Sequence, residues 1–158
     1  MVNGSRVAIQ YRQAILIMRS GSSKHKVTSV SSLSAVDRNA TFVRWVERLA
    51  SDKINSKNLG KIISFDARKE AKDKDIDANS YPFPRMALIP LKLRDGTVFA
   101  HLLFARESAW DEAGLIADAR LCESYPHACE ALSGPGKLQR RRRTNSLFML
   151  GCIATAFL

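Results

Sequence analysis

Two apolar runs separated by a short polar break occupy the middle of the chain. Residues 86–94 place Ala87, Ile89, Leu91 and Leu93 on one side, and residues 97–106 place Val98, Ala100, Leu102 and Phe104 on one side. Side chains alternate along a strand, so both runs read as strands. Asp95-Gly96 between them is a two-residue hairpin signal, with φ > 0 expected at both residues. Such a loop sets Leu93 opposite Val98, Leu91 opposite Ala100, Ile89 opposite Leu102 and Ala87 opposite Phe104. The other side carries Lys92, Arg94, Phe99 and His101 and reads as mixed. The hairpin therefore needs cover on one face.

Upstream, residues 6–19 are rich in β-formers, among them Val7, Ile9, Tyr11, Ile15 and Ile17, and read as a strand. After the Ser20-Gly21-Ser22-Ser23 loop, residues 26–36 alternate as a second strand of a meander. Phe42, Trp45, Val46 and Leu49 recur at i, i+3, i+4 and i+7, with Arg44, Glu47 and Arg48 mostly opposite, which predicts an amphipathic helix covering the sheet. Asn39 or Thr41 is its expected cap. Residues 59–65 read as a short strand or turn. The charged stretch 66–79 reads as solvated, and Pro82 and Pro84 hold the approach to Met86 extended.

Downstream, Ser108 and Asp111 resemble a capping box opening a helix, with Asp111 and Glu112 at the positive end of its dipole. Leu121, Tyr125, Ala128 and Leu132 would share its buried face. Pro126 predicts a break near Ser124. Ser133-Gly134-Pro135-Gly136 closes the domain.

The chain has 158 residues, 46% of them hydrophobic, which suits one domain with appendages. The formal net charge is +10, and half of it comes from Lys137 with Arg140, Arg141, Arg142 and Arg143. An acidic partner is compatible with such a charge, but the excess need not lie on the folded domain. Ser146, Leu147, Phe148, Met149, Leu150, Ile153, Phe157 and Leu158 belong to a final run without charge. Basic residues followed by an apolar run read as a cytoplasmic flank and the start of a membrane span. A buried terminal element is the competing reading.

Candidate chemistry is sparse. Cys122, His127 and Cys129 match no zinc spacing, so no metal site is expected. Cys122 and Cys129 would lie about 10 Å apart on a helix, too far for a disulfide. With Cys152 the cysteines are odd in number, which suits a reducing compartment. His25, between two lysines in an expected turn, is a poor base; His101 lies on the mixed face, lining a pocket or half exposed. No nucleophile elbow or phosphate loop occurs, so no catalytic residue or cofactor is expected. Neither an aromatic-basic sheet pattern nor a helix-turn-helix signature points to nucleic acid.

The order strand, strand, helix, variable segment, strand, strand, helix, centred on MALIPLKLRDGTVFAHLLFARESAW, resembles a GAF domain over residues 5–132. The residues that carry the likeness are Ile89-Pro90-Leu91, Asp95-Gly96, Val98 to Phe104 and Asp111-Glu112. The earlier half matches more loosely, the usual helix before the first strand is missing, and Pro126 interrupts the closing helix. The resemblance implies an α+β fold of the PAS/GAF, profilin-like kind: an antiparallel sheet with packed helices. A Gly/Pro and basic linker would follow at 133–143, and a truncated transmembrane helix at 144–158. Together these parts resemble the cytoplasmic start of a HlyD-type membrane fusion protein, an efflux or type I secretion adaptor. That likeness implies a non-enzymatic regulatory module anchored in the inner membrane by one pass. Its partners would be a transporter or pump, a small-molecule ligand and a second copy of the chain. The input domain of a membrane-bound histidine kinase would begin in a similar way. By the same resemblance, a ligand would touch the 61–83 region and the His101 side, where Lys92, Arg94 and His101 suit an acidic group or simply form a solvated face.

Overall fold

The computed structural model describes residues 9–20, 24–31, 33–55, 57–70 and 80–127. Five antiparallel strands, β1 (Gln13–Ser20), β2 (Lys24–Val30), β3 (Ile63–Asp66), β4 (Arg85–Lys92) and β5 (Val98–Arg106), form one sheet in the order β2-β1-β5-β4-β3. Helix α1 (Thr41–Lys53) follows β2, and helix α2 (Glu112–Cys122) follows β5.

The hairpin holds the predicted pairs Leu91–Ala100, Ile89–Leu102 and Ala87–Phe104. Its turn differs. Gly96 N–H donates to Leu93 O, Leu93 N–H donates to Thr97 O, and Gly96, with φ of 79°, is the positive-φ glycine. The loop is therefore the three residues Arg94-Asp95-Gly96, with the glycine in the left-handed position that follows a tight turn. Asp95 is accommodated by its carboxylate, which accepts from Thr97 N–H at 2.8 Å. Lys92, not Leu93, lies opposite Val98, and the register shifts between Leu91 and Lys92. Phe99 is the extra residue of that bulge. It offsets the longer loop, so the distal register comes out as the sequence dictates.

The side read as mixed is apolar too. Met86, Leu88, Leu103 and Ala105 pack there with Ile15, Ile17, Val27 and Val30 beneath Val43, Trp45, Val46 and Leu49 of α1. On the opposite face, Ala14, Ile89, Leu91, Ala100, Leu102 and Phe104 pack with Ile9, Tyr11 and Cys122. The central strands are thus covered on both faces, as near-continuous apolar runs require.

β1 starts at Gln13, later than expected, and Ile9 and Tyr11 lie outside it while still filling the α2-side core. β2 covers Lys24–Val30 rather than 26–36. Its pairing with β1 shifts between Leu16 and Ile17, leaving Thr28 as the extra residue, and Thr28 Oγ1 donates to Leu16 O at 3.1 Å. Neither Asn39 nor Thr41 caps α1; Ala40 holds the cap position without a side-chain bond. Asn39 instead accepts from Arg44 Nη2 at 3.2 Å.

Ser108 does not open α2. Asp111 is the cap, and its carboxylate accepts from Gly114 N–H at 2.6 Å. Asp111→Ala leaves that amide unsatisfied and is expected to lower stability by about 1 kcal/mol, read as a shift in the denaturation midpoint. The buried side of α2 holds Leu115 and Cys122, with Ala119 and Tyr125 packed beside them; Leu121 faces out at 48% exposure. The break falls where Pro126 required it: α2 ends at Cys122, and Ser124 Oγ donates to Leu121 O. Ala128, Leu132 and the anchor and flank residues 140–158 lie outside the described residues. No helix among the described residues is long and apolar enough to cross a membrane.

Candidate functional site

The α1 side of the sheet carries the polar chemistry. His101 comes from the centre of β5, opposite Ile17 of β1 and Pro90 of β4. It is 2% exposed, neither half exposed nor grouped with Lys92 and Arg94, both of which are exposed. Its Nε2 lies 3.1 Å from Leu59 O. A carbonyl only accepts, so Nε2 carries the proton and donates. This bond ties the loop between α1 and β3 to the sheet. Leu59 lies just before the 61–83 region where the resemblance placed a ligand contact, and its bond to His101 is a structural one within the protein.

His25 is not in a turn. It lies on β2 opposite Arg19 and is 6% exposed. Its ring meets that of His101 edge-on, with centroids 6.1 Å apart. Among the described residues, neither ring nitrogen of His25 has a hydrogen-bond partner. Burial, with the Arg19 charge, lowers the pKa of His25 below its usual value. Burial is also the main cause that brings His101 down to about 4; the Leu59 bond opposes it and His25 adds to it. Both rings are neutral at pH 7.

Beside this pair, the free edge of β2 and the polar side of α1 bound a cleft of about 250 Å³. Lys24, His25 and Lys26 line it from the strand, and Arg44, Glu47, Arg48 and Ser51 from the helix. Glu47 Oε1 accepts from Val27 N–H at 2.9 Å, and Ser51 Oγ donates to Glu47 O. The helix is thereby bonded to the outer edge of β2.

Of the 61–83 region, residues 71–79 lie outside the described residues, and its end at Tyr81 and Phe83 is taken up by aromatic packing. Tyr81 meets Phe42, Trp45 and Phe83 at centroid distances of 5.3, 5.5 and 5.6 Å, and its hydroxyl donates to Gln13 Oε1. Burial raises the Tyr81 pKa, so it stays a phenol. On the α2 side, Arg106 stacks on Trp110 at 3.8 Å and donates to Ser108 O and Ala109 O. Cys122 is a free, buried thiol whose pKa burial pushes up to about 12, which makes it inert at neutral pH. His127 is exposed, and Cys129 and Cys152 lie outside the described residues. Among the described residues, no cluster of three or more His, Cys, Asp or Glu is able to hold a metal ion.

The α1–β2 cleft was not foreseen. Arg44, Glu47 and Arg48 read as the polar side of a helix, and His25 as part of a turn just before a strand starting at Lys26. The available signal was the spacing of His25 and Val27, which puts both side chains on one face if the strand begins two residues earlier.

No protein-family model and no curated protein matches this sequence. Solved structures do match. A domain assigned to a two-component sensor histidine kinase of Sinorhizobium meliloti superposes with a TM-score of 0.60 at 10% identity, covering 89% of this chain and 90% of that one. The GAF domain of a two-component sensor histidine kinase from Bacillus halodurans gives 0.52 at 12% identity, covering 82% and 88%. The red-light-absorbing state of NpR6012g4, a red/green cyanobacteriochrome, gives 0.57 at 10% identity, covering 82% and 89%. At these identities the likeness speaks for the fold alone. The chain has a GAF-like fold.

Proposed function

We propose that this chain is a non-enzymatic sensory or regulatory input module of a signalling protein, such as a sensor histidine kinase. One observation carries the reading: the five-stranded 2-1-5-4-3 sheet follows a sensor-kinase domain over nine-tenths of that domain's length. The site chemistry agrees with it. Neutral buried histidines, a phenol held protonated and an inert thiol suit binding and relay more than bond-making. The membrane fusion protein reading rests on residues 140–158, outside the described residues, and none of the structures compared above is such an adaptor. Membrane attachment through that segment remains part of the proposal, and fractionation of cells with and without residues 144–158 tests it separately.

The signalling role is tested by joining the whole chain to the transmitter of a histidine kinase that lacks its own input domain. Autophosphorylation is expected to differ several-fold from that of the same transmitter joined to an inert domain of similar size. Equal rates in the two fusions would contradict the proposal. Co-purification of the chain with a membrane pump, without any effect on the kinase, would favour the adaptor instead.

A further inference from the structure

Helix α2 is apolar on the side that meets solvent. Leu115 and Cys122 are buried, while Glu112, Ala113, Ile116, Ala117, Arg120 and Leu121 are exposed. The exposed residues recur at three- and four-residue spacing, so they form one continuous face. Four of them are apolar, and Ile116 and Leu121 are the large ones. A surface helix ordinarily turns polar residues outward, and a helix that is apolar all round is one that is covered all round. The charge around this face is distinctive too. Glu107, Asp111, Glu112, Asp118 and Glu123 stand against Arg120 within residues 107–123, in a chain whose formal net charge is +10. Glu107 reaches Arg12 at 3.9 Å and Asp111 caps the helix; Glu112 and Glu123 are exposed near the two ends of the face. Whatever covers α2 must therefore be apolar along its length and basic beside it. A second α2 does not qualify, because two acidic faces repel. One stretch of this chain has the complementary pattern: Lys137 and Arg140 to Arg143, then the run 146–158 with no charge. That stretch lies outside the described residues.

We propose that the run 146–158 docks in cis along the outward face of α2, against Ala113, Ile116, Ala117 and Leu121, with Arg140 to Arg143 beside the carboxylates around that face. Reach is no obstacle. Cys122 and Leu147 are 25 positions apart, and that length of chain spans far more than the roughly 16 Å of an 11-residue helix. Tethering also holds the run near the face at an effective concentration of roughly millimolar order. The docking itself stands without the signalling role, because it rests on the α2 face and the sequence. Its consequence rests on the membrane attachment proposed above: α2 and the bilayer compete for one segment, so a docked run is withheld from the membrane.

The test uses the ¹⁵N-labelled full chain carrying Cys129→Ser, without lipid, with a nitroxide on Cys152; Cys122 is buried and inert. Paramagnetic broadening is expected at the amides of residues 112–121 and should persist on dilution. Ile116→Gln with Leu121→Gln should cut the docked-to-free ratio by roughly tenfold. Replacing Arg140 to Arg143 by Gln should cut it several-fold, and that variant leaves the described fold untouched. A further sample mixes spin-labelled ¹⁴N chain with unlabelled ¹⁵N chain. Equal broadening in the mixture would make the occupant a second copy and overturn the proposal, as would no broadening at 112–121 or uniform broadening that includes α1 and β3. Vesicles of phosphatidylcholine and phosphatidylglycerol, added last, test the membrane part separately. Loss of the broadening supports the competition; its retention upholds the docking and contradicts membrane attachment.

Discussion

Phe104→Ala is expected to destabilise the fold by about 3–5 kcal/mol. Phe104 is fully buried at the centre of β5, and its ring stacks on Tyr11 with centroids 4.9 Å apart. Its cross-strand partners are Ala14 on β1 and Ala87 on β4. One large ring thus lies above two methyl groups, and those neighbours have no side chain with which to fill the space left behind. A cavity that cannot collapse puts the cost in the upper part of the range. Chemical denaturation should show a lower midpoint with an unchanged slope. Leu121→Ala is the control: Leu121 is 48% exposed, and its change should stay within about 0.5 kcal/mol.

The second large effect is with pH. His101 titrates at about 4 in the fold, chiefly because it is buried, against 6.5 for the free side chain. Between these values the unfolded chain binds the proton and the folded chain does not. Stability is therefore full above pH 6.5 and falls as the pH drops toward 4, by about 3 kcal/mol for this residue. His25, lowered by burial and by Arg19, acts in the same direction. The groups acting on the pair are Arg19, opposite His25 on β1, and the Leu59 carbonyl, and among the described residues the carboxylate beside His25, that of Glu47, is engaged by the Val27 amide. Asp118 works oppositely, since burial raises its pKa. The comparison that isolates His101 is wild type against His101→Gln: the melting temperature of the wild type should fall by roughly 10 °C more between pH 7 and pH 4.

Much of the architecture was written in local patterns. α1 was legible because Phe42, Trp45, Val46 and Leu49 contrast sharply with Arg44 and Arg48. The hairpin was legible because alternation fixes the register once the turn is located, and the bulge at Phe99 restored what the longer turn displaced. The buried side of α2 was harder to read. Leu115, Ile116, Ala119, Leu121 and Cys122 surround the helix with apolar residues, so periodicity hardly distinguishes the side of Cys122 from that of Leu121. His25 was misplaced for a different reason. Its lysine neighbours suggest solvent, and its burial depends on α1 and on His101, which lies 76 positions away in the numbering. The cleft between β2 and α1 was hidden likewise, because Arg44, Glu47 and Arg48 look solvated until a strand edge closes beside the helix.

The account depends on the α1 side of the sheet being shut over two neutral imidazoles. Titration of the ring resonances of His25 and His101 in the full chain, followed by NMR from pH 8 to pH 4, measures this directly. The account predicts His101 titrating near 4 and His25 below 6.5, with Nε2 of His101 protonated throughout. Two histidines titrating together at 6.5 or above would place both rings in water and contradict the packing of α1 on the sheet.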